Sequence, residues 1–268
     1  ERYLKLSRNP ELEKLSDNGK KLREYMESHD VLDLLTDFPC RNSVEEVVEV
    51  FRQIQPRLYS VSSSLKSNPG EVHLTVKLVC PSTGGRTRLG ACSSYLDHRI
   101  QPGDRLNLKV VPNNEFRLPA NNQPVIMIGA GTGIAPFRAF LQEMETGKRI
   151  NPAWLIFGEK HREHDFFYRD EWQHRLDKNT LTRLDVAFSR DSIEKTYVQH
   201  KIEEQASLFY EWLQNGAHVY ICGSAKMGHA VRKAIVAAIA QIRQTDTTAA
   251  LVFAEKLEEQ GRWHEDLY

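Results

Sequence analysis

Neither sign of charge is in excess in this chain: thirty-six lysines and arginines balance thirty-six aspartates and glutamates over 268 residues. Long-range attraction to nucleic acid or to an anionic membrane surface therefore has no bulk support. Long apolar runs are missing too, and none approaches the ~20 residues that a bilayer-spanning helix needs. The opening Glu1-Arg2-Tyr3-Leu4-Lys5 lacks the apolar centre of a secretory signal. Cysteine is scarce: Cys40, Cys80, Cys92 and Cys222 are widely spaced and form no C-x-x-C pair. That spacing argues against a metal knuckle or a disulfide scaffold and fits a reducing cytoplasm. The ten histidines form no H-E-x-x-H or comparable ligand pattern, so no metal is expected. No internal repeat or low-complexity segment is present. The expected protein has no nucleic-acid, membrane or metal partner.

The length has room for about two domains. Leu12, Leu15, Leu22, Tyr25 and Met26, then Val47, Val48, Phe51 and Ile54, fall near helical spacing, so residues 1–55 read as helical. Ser43 with Glu46 forms a capping-box pattern before the second run. Residues 58–62, 71–79 and 105–111 alternate and are rich in β-branched side chains, which predicts antiparallel strands, part of a barrel. Asn68-Pro69-Gly70 and Gln101-Pro102-Gly103-Asp104 read as turns. The polar, proline-bearing 118–124 segment marks a boundary. Beyond it strands (125–129, 153–158, 181–189, 217–223) alternate with helices (136–146, 166–176, 198–215, 226–243), which predicts a doubly wound parallel sheet.

The richest motif lies at the first of these strands. Val125 to Gly129 feeds Gly129-Ala130-Gly131-Thr132-Gly133-Ile134-Ala135-Pro136, and a helical pattern follows. Glycines at alternate positions let backbone approach a bulky anion, and the helix start favours negative charge. A dinucleotide pyrophosphate suits Gly131, Thr132 and Gly133; a plain tight turn is the alternative. Arg57-Leu58-Tyr59-Ser60 offers a guanidinium fork for phosphate, a flat ring for stacking and a small hydroxyl. Gly90-Ala91-Cys92-Ser93 resembles a second anion-binding helix start. Two anion sites in two domains point to two phosphorylated cofactors.

These motifs together resemble the ferredoxin-NADP reductase superfamily, and within it the diflavin reductases, from about Asp30 to Tyr268. The resemblance implies an FAD site built from Arg57, Leu58, Tyr59 and Ser60, from Thr75-Val76-Lys77, and from Gly90, Ala91, Cys92 and Ser93, with Tyr59 against the isoalloxazine. It implies a fold of α+β then α/β: a partial antiparallel FAD-binding barrel with a helical insertion (1–55) over residues 1–120, then a doubly wound NADPH-binding domain over 121–268. It also implies FMN on a separate flavodoxin-like domain, and a heme or iron–sulfur acceptor of the sulfite reductase hemoprotein kind. A reductase with another acceptor, or a non-catalytic NADP(H)-binding module, are the alternatives.

Ordinary NAD sites carry an acid about 20 residues past the glycine turn. Glu145 lies near that distance, on an expected helix end. Ser189-Arg190 followed by Lys195, Tyr197 and Gln199 suits a 2′-phosphate and adenine better. The family's S-R and K-x-Y-x-Q segments match these residues, so NADPH is expected. The resemblance assigns hydride transfer to Ser60, Cys222, Asp266 and Tyr268, with the terminal tyrosine over the flavin. The chain departs from the family pattern at Ser224 and Ala230, where an acid is common, and at Pro81, near the usual place of an aromatic. Family members begin their FAD domain with further barrel strands, so a fragment of a longer polypeptide is expected.

Overall fold

The computed structural model describes residues 1–83, 86–148 and 151–268, with the backbone alone at 82, 83 and 86. Two compact units make up the chain. The first comprises Glu1–Leu58 and Lys77–Arg105. Its helices are short because capping residues interrupt the run: α1 (Arg2–Ser7), α2 (Pro10–Asp17), α3 (Gly19–Ser28), α4 (Val31–Asp37) and α5 (Val44–Val50). Asn9 caps α2 ahead of Pro10, and Asn18 caps α3. Asp30 with Asp33 and Ser43 with Glu46 close reciprocal capping boxes on α4 and α5. Tyr3 and Leu12 are buried, and the Tyr3 hydroxyl donates to the Phe38 carbonyl at 2.7 Å. Arg88 pairs with Asp30 and Asp33. A two-residue ladder, β1 (Ser82–Thr83) with β2 (Arg86–Thr87), precedes α6 (Ala91–His98).

The second unit comprises Tyr59–Val76 and Leu106–Tyr268. Five parallel strands form its sheet: β3 (Val125–Ala130), β4 (Ala153–Glu159), β5 (Arg183–Phe188), β6 (His218–Gly223) and β7 (Trp263–Leu267), in the order β5-β4-β3-β6-β7. Its helices are α7 (Ala135–Thr146), α8 (Arg162–Asp165), α9 (Arg169–Asp177), α10 (Val198–Glu204), α11 (Ala206–Gln214), α12 (Ala225–Arg243) and α13 (Thr247–Glu259). The strands read as near-continuous apolar runs because both faces are covered. Ile126, Ile128, Trp154, Ile156, Val219 and Ile221 pack under α10–α13 on one face. Val125, Met127, Leu155, Phe157 and Tyr220 pack with Phe137, Leu141 and Trp172 on the other. The chain leaves β3 toward β4 and returns on its other side as β6, so the strand order reverses at β3/β6.

Several expectations change. The 198–215 helix is two helices broken at Gln205, and the expected 166–176 helix starts only at Arg169. Helix α13 and strand β7 were not expected as elements. The antiparallel barrel is the main correction. Among the described residues, 58–62 and 71–79 share a single bridge, Val61 with Leu74, and 105–111 form no ladder. Leu108 and Val110 remain 71% and 78% exposed. Alternation marks a face, but a strand exists only where a neighbour completes its hydrogen bonds. Both expected turns form, with Gly70 and Gly103 at φ 80° and 99°.

The 113–123 segment is tied to the amino ends of β6 and β7. His218 bonds Gln123 Oε1 through Nε2 at 2.7 Å and meets His264 through Nδ1 at 3.3 Å. His264 Nδ1 lies 2.8 Å from the Glu115 carbonyl. Burial, then the charges of His264 and Arg262, push His218 down to about 4. The unfolded imidazole titrates near ~6.5, so the unfolded state takes up the proton first as pH falls. Stability should therefore drop by about 1 kcal/mol between pH 7 and 5 from this residue. Urea unfolding at the two pH values measures it, and His218→Gln should flatten the slope.

Candidate cofactor site

Gly131–Ile134 form a single 3₁₀ turn between β3 and α7. Gly131 has φ 59°, a conformation that disfavours a side chain. Gly133 serves a different end from the expected anion approach. A Cβ there would lie 2.0 Å from the Cys222 carbonyl oxygen and 2.6 Å from its carbon. The turn is thus seated on the end of β6, in the crevice where strand order reverses and where ligands of open α/β sheets bind.

That contact assembles the expected transfer residues. Parallel pairing sets Cys222 beside Asp266 and Gly223 beside Leu267. The Ser60 hydroxyl donates to Asp266 Oδ2 at 3.0 Å, and Cys222 Sγ lies 3.8 Å from the same oxygen. Tyr268 is pinned through its backbone: its N–H donates to the Gly223 carbonyl at 3.0 Å, and its carbonyl accepts from Ala225 N–H at 3.1 Å. Its hydroxyl meets Thr132 Oγ1 at 2.7 Å, while the residue stays 65% exposed. Cys222 is fully buried. Burial, and next the Asp266 carboxylate, push its thiol up to about 12, although the Ser60 hydrogen bond works the other way.

A cationic rim lies at the carboxyl end of β5. The backbone N–H groups of Ser189 and Arg190 donate to the carbonyls of Glu159 and Lys160, both at 2.9 Å. Asp191 braces the loop by accepting from Arg162 N–H at 2.9 Å and contacting His161 Nδ1 at 3.1 Å. These contacts, led by the Arg162 N–H, hold its carboxyl below the usual range. Arg190, Lys195 and Tyr197 are exposed and Gln199 is half-buried. Exposed cations and an exposed ring on one loop suit a phosphorylated adenosine. Glu145 is spent elsewhere, accepting from Thr180 Oγ1 at 3.0 Å and pairing with Arg175 at 3.1 Å. The acid near the turn is Glu159, 3.4 Å from a Cβ built on Gly131. Sequence spacing missed it because it arrives from the neighbouring strand.

The remaining expected residues divide between the units. In the first, Arg57 and Leu58 are exposed and Arg57 donates to the Gln55 carbonyl at 3.0 Å. Lys77 is half-buried, and Gly90 caps α6. Ser93 is buried, and its hydroxyl accepts from Val79 N–H at 3.1 Å rather than facing outward. Ala91 is exposed and Cys92 half-buried in the first turn of α6. In the second unit, Tyr59 and Thr75 are half-buried and Val76 is exposed. Thr75 Oγ1 meets the Tyr168 hydroxyl at 2.7 Å. Arg138, two residues past the glycine motif, contacts the 59–76 segment at Ser62.

Residues 7–95 match the FAD binding domain family and residues 127–233 match the oxidoreductase NAD-binding domain family. The class is therefore an oxidoreductase with FAD- and NAD-binding domains. The chain is 42% identical over 268 residues to the sulfite reductase [NADPH] flavoprotein alpha-component of Aliivibrio fischeri, covering 99% of this chain and 44% of that one. It is 42% identical over 273 residues to the Bacillus subtilis protein of the same name, covering 100% and 45%, and 43% identical over 272 residues to that of Shewanella oneidensis, covering 99% and 45%. Over nearly its whole length the chain is similar to these flavoproteins. It spans less than half the length of the curated relatives it matches. Among the described residues, no helix is long and apolar enough to cross a membrane.

Two outcomes follow from this geometry. Gly133→Ala should cost at least about 2 kcal/mol, because the methyl meets backbone that cannot give way; urea unfolding measures this, and NADP⁺ titration of the folded fraction should show weakened binding. Iodoacetamide at pH 8 should alkylate exposed Cys80 and spare Cys222, with labelling of Cys222 rising only on strong alkalinisation or unfolding; peptide mapping reads both.

Proposed function

We propose that this chain is the part of a flavoprotein reductase that carries hydride from NADPH to FAD and sends electrons onward through FMN, on a flavodoxin-like domain, to the sulfite reductase hemoprotein. The observation that carries the reading is the convergence of Ser60, Cys222 and Asp266 at one end of the sheet, next to the Thr132–Tyr268 pair. When bound, the nicotinamide and the flavin supply hydride transfer and stepwise electron release. The chain's own residues orient and shield them. Ser60 and Asp266 hold a fixed hydrogen bond that can orient a ring nitrogen or carboxamide. Cys222, buried and protonated, adds a small uncharged wall that excludes water. Tyr268 covers the site with an exposed ring that can leave without unfolding anything, since its backbone bonds run to Gly223 at the end of β6 and Ala225 at the start of α12.

Arg190 and Lys195 select the 2′-phosphate, and Tyr197 stacks on the adenine. Arg57, Leu58, Tyr59, Ser60, Thr75, Val76, Lys77 and the Gly90–Ser93 turn hold FAD. The assignment of 1–120 to FAD and 121–268 to NADPH belongs to the same proposal. So does a cytoplasmic location. The relatives' printed names, which give sulfite reductase [NADPH] flavoprotein, support the NADPH donor and a role in sulfite reduction.

Anaerobic stopped-flow mixing of the FAD-reconstituted chain tests this. NADPH should bleach the flavin band rapidly and NADH slowly. Arg190→Ala and Lys195→Ala should each reduce the NADPH preference by about tenfold, the worth of one charge-assisted hydrogen bond. Equal bleaching by the two nucleotides would remove the 2′-phosphate assignment.

A further inference from the structure

Arg138 stands in the first turns of α7, just past the glycine turn, and touches no residue of the proposed transfer set. Its fork is nonetheless fully engaged. Nε donates to Glu171 Oε1 and Oε2 at 3.0 and 2.9 Å, and Nη2 lies 2.9 Å from Oε1. Nη1 donates to the Ser62 carbonyl at 2.9 Å and contacts His73 Nδ1 at 3.3 Å. The guanidinium also lies 4.7 Å from the centre of the Tyr168 ring. The Tyr168 hydroxyl in turn bonds Thr75.

These contacts reach both arms of one loop. Ser62 is two residues beyond Ser60, and His73 is two residues before Thr75. The arms are joined to each other by the Val61–Leu74 bridge and by Ser62 N–H donating to the His73 carbonyl at 2.8 Å. Each arm carries residues of the proposed flavin site. The helix bearing Arg138 is the one that the nicotinamide turn opens. One guanidinium therefore connects the proposed flavin-holding loop to the proposed nicotinamide-holding helix.

We infer that Arg138 is a positioning residue for hydride transfer, setting the 59–62 and 73–75 arms, and with them Ser60 beside Asp266, relative to the glycine turn. The inference rests on the hydride-transfer reading above. Glu171 anchors the fork from α9. Burial alone would raise the Glu171 carboxyl, but the hydrogen bonds from Arg138 and Arg175 outweigh it and hold the group below its usual range. Arg175 pairs with the same Glu171 at 3.0 Å and with Glu145 at 3.1 Å. It joins α7 to α9 without reaching the loop, and so serves as the control. A distance change of ~1 Å between reacting centres can cost as much as ~10²-fold in rate.

Arg138→Lys keeps the charge and loses the fork. In single-turnover mixing of the FAD-reconstituted chain with saturating NADPH, this variant should bleach at least about tenfold more slowly than the parent. Its Kd for NADP⁺ by calorimetry should stay within about twofold, and amide exchange should quicken at 59–63 and 73–76. Arg175→Lys should bleach within about twofold of the parent. A bleaching rate in Arg138→Lys within about twofold of the parent overturns the inference. So does an NADP⁺ Kd that weakens in step with the rate, because Arg138 would then support the fold at large. A parent chain that NADPH does not bleach defeats the hydride-transfer reading itself. Amide exchange then decides the clamp separately: unchanged protection of the two arms overturns it.

Discussion

The carboxyl edge of the sheet depends on how closely the turn after β3 approaches the end of β6. Gly133 sits against the Cys222 carbonyl with no space for a side chain between them. That approach fixes the height of Thr132 over the edge, which lets its hydroxyl reach Tyr268. The same end of β6 pairs with β7, so Cys222 and Asp266 become neighbours through strand register alone. A wider turn would leave β3, β6 and β7 intact, with Cys222 beside Asp266, and still separate Thr132 from Tyr268.

Charge is distributed around this edge in a way that suits the proposed chemistry. The innermost groups are a buried neutral thiol, a hydroxyl and one carboxylate already holding a hydrogen bond. Cations stand further out, exposed on the loop after β5. Asp191 is the brace for that loop, and its bond to the Arg162 N–H keeps it ionised and in place. A zero net charge over the whole chain thus conceals a local separation: a rim able to bind an anion and an interior able to exclude water.

Much of this was legible in the residues. The apolar run into Gly129–Pro136 announced a strand, a turn and a helix, because backbone approach and helix starts constrain residue type locally. Ser43 and Glu46 likewise announced a cap, and the cap formed. The motif resemblance pointed to Ser60, Cys222, Asp266 and Tyr268 from three places in the chain, and they do meet at one end of the sheet. Other features were not legible. Glu159 comes to the turn from an adjacent strand, so no spacing along the chain marks it. The Ser93 hydroxyl accepts from Val79 N–H, a partner from a distant segment that the helix-start pattern does not name. Residues 263–267 mix aromatic and charged side chains as an edge strand does, and only pairing with β6 distinguishes that from a tail.

What the sequence by itself determined were properties carried by near neighbours: caps, turns, apolar periodicity, the glycine motif and the supply of groups able to bind phosphate and a ring. These follow from conformational preference and hydrogen bonding within a few residues. Only the tertiary structure decided which strands pair, which acid stands by the turn, and that Arg138 joins two arms of a distant loop. It also decided that 105–111 shows a strand's alternation without a ladder. Pairing and packing join residues far apart in the chain, and their free energy depends on partners that local pattern does not name.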